Sequence, residues 1–337
     1  MTAVRGMGPL PARVEASEGG RSLRRLFGKL GLPVDLAARP DRRILLRDMI
    51  ALFADAADFV GDPLFGFHVG AAMSPTDFGS WARYALAADT LEGCLQRASR
   101  SLRYHQTGAA LTLTSDGAFS RYTYRLNAPG GLDHRQHGDH VLPALLRSIG
   151  RYAGPGWRPS WIEVKSLHGR GLDLLQDVVD CEVRPKAEAL AIVFPTALLE
   201  NRAPDPLAAA TTPWRSLRQL VREAPPRTVS DTVVEIAYAR LFDRRFDLDG
   251  IAGKLNVGVR TLQRRLERDG RGYRAILGQV RHLHASDLLR ETDLPVTEIA
   301  WALGYEDPAH FARAFRRTAG MSPSGYRRAT RARSAPG

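Results

Sequence analysis

The chain has only two cysteines among its 337 residues, Cys94 and Cys181. They are too few and too far apart for a disulfide framework or a zinc cluster, and a reducing cytosol fits that count. Lysine is almost as scarce. Of 48 basic residues four are lysine (Lys29, Lys165, Lys186 and Lys254) and the other 44 arginine. No segment reaches the ~20 consecutive apolar residues that span a bilayer, and the arginine-bearing N-terminus lacks an apolar run of signal-peptide length. Gly-x-Ser-x-Gly and His-Glu-x-x-His are missing, which leaves only catalytic groups assembled from distant segments. The Gly-x-Gly pairs at 169–171 and 270–272 lack the third glycine and the preceding strand of a nucleotide site. These absences point to a soluble cytoplasmic protein with no membrane segment, no metal, no cofactor and no catalytic motif.

What is present is positive charge. The formal net charge is +12, and residues 246–337 hold 16 Lys+Arg against 10 Asp+Glu, an excess of six over the last 92 positions. A basic C-terminal unit calls for an anionic partner. Arginine suits bidentate grip on phosphates or guanine edges, although a codon-usage bias would produce the same count.

At roughly 150 residues per domain the length accommodates two domains. Residues 1–21 show no apolar period and read as a mobile N-terminus. From 22 to 200 helices alternate with a few strands. "DRRILLRDMIALFADAADFVGDP" sets Ile44, Leu45, Asp48, Leu52, Ala56 and Phe59 at helical steps up to a Gly61 stop. A second helix runs from Thr90 to about Tyr104. "ALTLTSDGAFSRYTYRL" alternates about Ser115-Asp116-Gly117-Ala118 and reads as a β-hairpin. A helix at 137–152, a strand at "WIEVKSL", a helix at "LDLLQDVV" and a strand at "ALAIVF" complete an α+β domain. The Pro-rich and Ala-rich stretch 201–227 reads as a linker around one short helix. From 228 to 330 the chain is helical only, with a tail at 331–337.

That helical region repeats itself. "IAGKLNVGVRTLQRRLERDG" (251–270) lies on "IAWALGYEDPAHFARAFRRTAG" (299–320), with Ile251-Ala252 on Ile299-Ala300, Leu255 on Leu303, Leu262 on Phe311 and Leu266 on Phe315. Each copy is a short helix, a tight turn (Asn256-Val257-Gly258 or Gly304-Tyr305-Glu306) and a second helix. The second turn is one residue longer. This is helix-turn-helix spacing. At 100° per residue, Leu262 and Leu266 set Arg264 opposite the core with Arg260 and Thr261 beside it. Phe311 and Phe315 likewise set Arg313 outward, flanked by Ala309, His310, Arg316 and Arg317. Arg268, one turn beyond Arg264, belongs to the same basic surface. Asp307-Pro308 opens the second recognition helix as a cap followed by proline, and Gly270 and Gly320 close the two helices. Between the copies "YRAILGQVRHLHASDLLRE" forms a linking helix of about 18 residues, roughly 27 Å, able to hold two recognition helices about one DNA turn apart.

"IAGKL…RTLQRRL" with "VTEIAWALGYEDPAHFARAFRRTAGMSPSGYRR" resembles the DNA-binding module of AraC/XylS-type bacterial transcription regulators over roughly 228–330. The resemblance implies base reading by Arg260, Thr261, Gln263 and Arg264 in the first motif and by Ala309, His310, Ala312 and Arg313 in the second. Ala309 and Ala312 are short, so reading by the second motif falls to His310 and Arg313. "DPLFGFHVGAAMSPTDFGSWARYALAADTLEGCLQRASRSLRY" and "WRPSWIEVK" resemble the effector domain called arabinose-binding-like in a branch of the same family, over about 25–200. That resemblance implies a sensor that also dimerises and says nothing of arabinose.

The expected function is a sequence-specific regulator that binds a double-stranded operator, works with RNA polymerase at the nucleoid, and answers a small-molecule effector; the alternative is an N-terminal enzyme tethered to DNA. Trp81, Tyr84, Tyr104 and His105 are candidate pocket residues because aromatic walls with a polar tip suit small ligands, although each also reads as a core or rim residue. His134, His137, Asp139 and His140 are the best metal ligands on offer. No second cluster completes a site, and polar residues at a helix start are ordinary capping chemistry.

Overall fold

The computed structural model describes residues 1–127, 132–165, 170–203, 213–222, 224–241 and 247–332. Positions 204–212 of the expected linker, 333–337 of the expected tail, Gly169 and the end of "WIEVKSL" lie outside the described residues. The chain divides into two compact units, Met1–Leu30 with Val34–Pro225, and Gly31–Pro33 with Pro226–Gly337.

The first unit starts with strand β1 (Thr2–Ala3), a 3-10 turn (Val4–Met7) and helix α1 (Leu10–Lys29). The mobile N-terminus expected from the sequence is therefore corrected: Val4, Met7, Leu10 and Val14 are at most 2% exposed. The period was hidden because a strand, a 3-10 turn and an α-helix follow within a few residues, and α1 itself breaks at Gly19 with φ 79°. β1 pairs antiparallel with β2 (Arg43–Ile44), so Ile44 belongs to a strand and not to the following helix. Helix α2 (Leu46–Val60) ends on left-handed Gly61, with Phe59 37% exposed in its last turn. Helices α3 (Phe65–Ala71), α4 (Ser80–Leu86) and α5 (Leu91–His105) follow. Thr90 caps α5 by accepting from the Gly93 amide.

Strands β3 (Ala109–Ser115) and β4 (Phe119–Leu126) form the hairpin, in register from Ser115 against Ser120 to Ala109 against Leu126. Its turn needs Gly117, whose φ is 89°. Then come α6 (Arg135–Ala153), β5 (Trp161–Glu163), α7 (Arg170–Val179), β6 (Val183–Arg184), β7 (Leu190–Pro195) and α8 (Pro213–Arg222). The sheet order is β3-β4-β7-β5-β6, antiparallel except for the β5–β6 pair.

One face of this sheet makes the core. Tyr122, Tyr124, Ile192 and Phe194 meet Leu91, Leu95 and Leu102 of α5 and Leu142, Ile149 and Tyr152 of α6. Burying each aliphatic side chain stabilises the unit by about 1.5–3 kcal/mol. α3 crosses α6 so closely that a Cβ at Gly66 or Gly70 would collide with the carbonyl oxygen of Gln136 or His140. The region expected as a linker also differs. Its α8 packs against α4 and α5 of the first unit, with Leu220 1% exposed. An isolated amphipathic helix between prolines carries no mark of the surface that receives it.

The second unit is helical throughout its described residues: α9 (Val229–Leu241), α10 (Leu248–Lys254), α11 (Val259–Arg268), α12 (Tyr273–Glu291), α13 (Val296–Ala302), α14 (Pro308–Ala319) and α15 (Pro323–Ala332). α12 is the linking helix, with 19 residues, hence about 28 Å at 1.5 Å per residue. Ile276, Val280, Ala285 and Leu289 of α12 are fully buried, as are Val233 of α9, Ile251 of α10 and Ile299 of α13. A polar tie accompanies this core, where the Tyr238 hydroxyl donates to Asp287 at 2.6 Å and Arg290 reaches the same carboxylate at 2.8 Å. Arg327 of α15 donates to the carbonyl oxygens of Leu289 and Leu294, at 3.4 and 2.5 Å, and so closes the end of α12.

Candidate nucleic-acid interface

The two halves of the repeat fold alike at each atom that makes the turn. Leu255 N donates to Ile251 O at 3.0 Å and Val257 N to Ala252 O at 3.0 Å; at the matching places Leu303 N donates to Ile299 O at 3.1 Å and Tyr305 N to Ala300 O at 3.0 Å. The residue between, Asn256 or Gly304, is left-handed in both copies, with φ 54° and 76°. Asparagine and glycine are the residues that tolerate this conformation, so the turn is written into the sequence.

On those second helices the buried residues are Leu262 and Leu266 in α11, 0% and 1% exposed, and Phe311 and Phe315 in α14, both 2% exposed. Phe315 packs against the rings of His282, Phe311 and Tyr326 at centroid distances of 4.9, 5.8 and 5.4 Å. The opposite faces are open. Arg260, Gln263, Arg264 and Arg268 are exposed on α11, with Thr261 half-buried. Ala309, His310, Arg313, Arg316 and Arg317 are exposed on α14, with Ala312 half-buried. Arg265 is exposed as well, although at 100° per residue it lies on the flank of the Leu262 and Leu266 stripe, not opposite it.

The two helices start differently. α11 begins at Gly258 with no side-chain cap. α14 begins at Asp307, whose carboxylate accepts from the Ala309 and His310 amides at 2.8 and 3.1 Å. The same carboxylate lies 3.6 Å from the Arg313 guanidinium. Among the described residues Arg264 has no ion pair and Arg313 has this one. The cap was legible in Asp307-Pro308, but its contact with Arg313 depends on side-chain reach around one helical turn.

The residues chosen as an effector pocket divide. Trp81, Tyr104 and His105 line one void of about 20 Å³ in the first unit, and Tyr84 does not line it. That space admits about one water. The Trp81 indole stacks on His105 at 4.9 Å and donates to Ala98 O at 3.1 Å, while Tyr84 lies under Arg97. Burial, with Arg43 nearby, lowers the His105 pKa to about 3.

The His137 and His140 rings of α6 are neighbours, with centroids 5.8 Å apart, but each packs against other side chains. His137 stacks toward Tyr124 at 6.3 Å, and His140 lies against Phe53 at 4.5 Å and Met73 Sδ at 3.4 Å. His134 faces Lys165. Burial lowers His137 to about 4 and His140 well below its ordinary value. Among the described residues no group of three metal-ligating side chains forms. Nor is any helix among them long and apolar enough to cross a membrane.

Two helix-turn-helix units of matching geometry on one linking helix, each with a basic outer face, define a bipartite DNA-binding module carried behind an α+β domain. Comparison with known proteins agrees at both ends of the chain. The family described as "Arabinose-binding domain of AraC transcription regulator, N-term" matches residues 20–203, and the family described as "Helix-turn-helix domain" matches residues 251–329. The chain belongs to the AraC/XylS-type transcription regulators.

An uncharacterized HTH-type transcriptional regulator of Mycobacterium tuberculosis is 44% identical over 78 residues, 23% of this chain and 23% of that protein. The chain therefore spans under a quarter of that relative's length in the match. The HTH-type transcriptional regulator VirS of the same organism is 25% identical over 305 residues, 89% of this chain and 88% of VirS. Among solved structures the transcriptional regulator CdpR of Pseudomonas aeruginosa is similar at 21% identity, covering 90% of this chain and 97% of that one with a TM-score of 0.41.

Proposed function

We propose that this regulator reads its operator through Arg260, Thr261, Gln263, Arg264 and Arg268 of α11 and through His310, Arg313, Arg316 and Arg317 of α14, with Ala309 and Ala312 as small contacts against the groove wall. One observation carries the reading: in both copies of the repeat the arginine opposite the buried pair, Arg264 or Arg313, is exposed. A groove-facing arginine grips guanine O6 and N7 bidentately, which discriminates against a wrong base by ~1–3 kcal/mol. The flanking arginines neutralise phosphates and set register. The first unit is the sensor for a small-molecule effector and the dimerisation surface, and the bound protein acts on RNA polymerase in the nucleoid. The proposed domain limits are 22–200 for the sensor core and 228–330 for the DNA reader.

Binding-site selection on Arg264→Ala and Arg317→Ala at matched salt tests the assignment. Arg264→Ala weakens the best operator while barely changing affinity for random DNA, and relaxes preference at one or two adjacent base pairs. Arg317→Ala weakens all sequences alike and makes the log–log salt dependence shallower by about 0.9, one phosphate's worth. If Arg264→Ala lowered affinity uniformly and left the preferred sequence unchanged, Arg264 would be a phosphate clamp, and base reading would pass to Arg260 and Gln263.

A further inference from the structure

The first unit holds a cavity of about 240 Å³ away from the Trp81 void, between the ends of β4 and β5, the approach to β7 and the first turns of α6. At a liquid-water share of ~30 Å³, it has room for roughly eight water-sized atoms. Its wall is apolar where Leu126, Val164 and Leu190 line it. Its charged groups are sorted by depth.

The deep group is Asp139, 3% exposed. Its partner is Arg135, whose Nη1 is 3.4 Å away, long for a charge-assisted bond of ~2.7–2.9 Å. That same nitrogen donates to Pro63 O at 2.8 Å, so Arg135 satisfies the carboxylate poorly. Burial accordingly raises the Asp139 pKa to about 7. A cationic donor from a ligand would complete this group.

The outer group is Lys165, exposed at the mouth. Its Nζ lies 3.3 Å from His134 Nε2, a neutral acceptor that leaves the ammonium charge unmatched. His134 has its own pKa lowered by burial and by Lys165. The other pair at the rim, Arg125 with Glu188, is 3.4 Å apart and exposed, so its charges largely cancel. The cavity thus offers an undersatisfied carboxylate inside, an unmatched ammonium outside and an apolar wall.

We propose that this cavity binds a small amino acid, with the ligand's ammonium on Asp139, its carboxylate on Lys165 and its hydrocarbon part against Leu126, Val164 and Leu190. A carboxylic acid without an amine would leave Asp139 as it is, and an amine without a carboxylate would leave Lys165 unmatched. The ligand's role as effector rests on the sensor reading above; its binding does not.

Isothermal titration of the full chain tests this, with the twenty common α-amino acids, β-alanine, γ-aminobutyrate and 5-aminovalerate as probes. Each is compared with the acid lacking its amine and with the amine lacking its carboxylate. At least one amino acid binds, and both of its singly charged analogues bind at least tenfold more weakly. Asp139→Asn and Lys165→Met each weaken binding at least tenfold. Lys165 is exposed, so its variant keeps the fold whatever happens at Asp139. The proposal is overturned if no amino acid binds the parent, if a singly charged analogue binds as well as its amino acid, or if Lys165→Met binds like the parent. Operator affinity is measured with and without the bound amino acid. Binding that leaves operator affinity unchanged keeps the site and sinks the sensor reading; absent binding sinks the site whatever the operator does.

Discussion

Replacing Asp307 separates two tasks that one carboxylate performs at the start of α14. It accepts from the Ala309 and His310 amides at 2.8 and 3.1 Å, and it sits 3.6 Å from the Arg313 guanidinium. Loss of an N-cap costs about 0.5–2 kcal/mol, and a carboxylate at the positive end of the helix dipole contributes a further ~0.3–1. The ion pair is worth less. Its side chains are 70% and 57% exposed and the contact is long, so about 0–1 kcal/mol remains after screening. Asp307→Ala therefore destabilises the second unit by about 1–2 kcal/mol, and its melting temperature falls by roughly 4–8 °C per kcal/mol for a unit of this size. Asparagine caps nearly as well as aspartate, so Asp307→Asn keeps most of the stability and loses only charge. With its counter-ion gone, Arg313 is free for DNA, and operator binding at low salt tightens by up to about fivefold, the equivalent of ~1 kcal/mol. Circular dichroism melting of residues 226–337 and filter binding at two salt concentrations read both effects. If Asp307→Asn melted as low as Asp307→Ala, the backbone cap would not be the stabilising contact. Weaker operator binding by Asp307→Asn would mean that Asp307 orients Arg313 instead of competing for it.

Phe315→Ala removes a side chain that is 2% exposed among three aromatic rings, and costs about 3–5 kcal/mol, enough to unfold the second motif. A variant that melted like the parent and lost only DNA binding would place Phe315 on the groove side. Gly70→Val drives a branched side chain into the His140 carbonyl where α3 crosses α6; the first unit should lose several kcal/mol in urea titration while the second keeps its transition, and an unchanged midpoint would show that the crossing can open. Acid should loosen the first unit. His105, His137 and His140 are held neutral by burial, with pKa lowered to about 3, about 4 and well below the ordinary 6.5. The unfolded chain therefore binds more protons, and the stability present above pH 6.5 is lost as pH falls toward 4. Asp139, raised to about 7, opposes this because the folded state holds its proton. The lowered histidines, His134 among them, outnumber this one carboxyl, so the net effect is a loss of stability as pH falls from about 6.5 to 4. A urea midpoint that stayed level or rose between pH 7 and pH 5 would refute it.

The DNA-binding half was legible in the sequence because its information is local. Asn256 and Gly304 mark the left-handed turns, Leu262, Leu266, Phe311 and Phe315 repeat at one turn of helix, and Gly320 supplies the left-handed cap that ends α14. Each depends on neighbours within about five positions, so reading them needs only helical geometry. The start of α5 at Thr90 and the hairpin about Gly117 were legible for the same reason. What only the tertiary structure decided depends on partners far along the chain. Residues 2–14 are ordered because β2, about forty positions on, pairs with β1. α8 has a place because α4 and α5 supply a surface for Leu220, and Gly66 and Gly70 are required because α6 passes over them. The candidate pocket shows the limit most clearly. The aromatic cluster around Trp81 carries the sequence signature of a ligand site, yet its rings fill their own space. The roomier cavity is built from Asp139, Lys165 and Leu190, on separate segments, which no pattern in the chain marks as neighbours. Periodicity records which face of an element is buried, but a void is a property of how several elements fail to fill the space between them, and that is settled only when they pack.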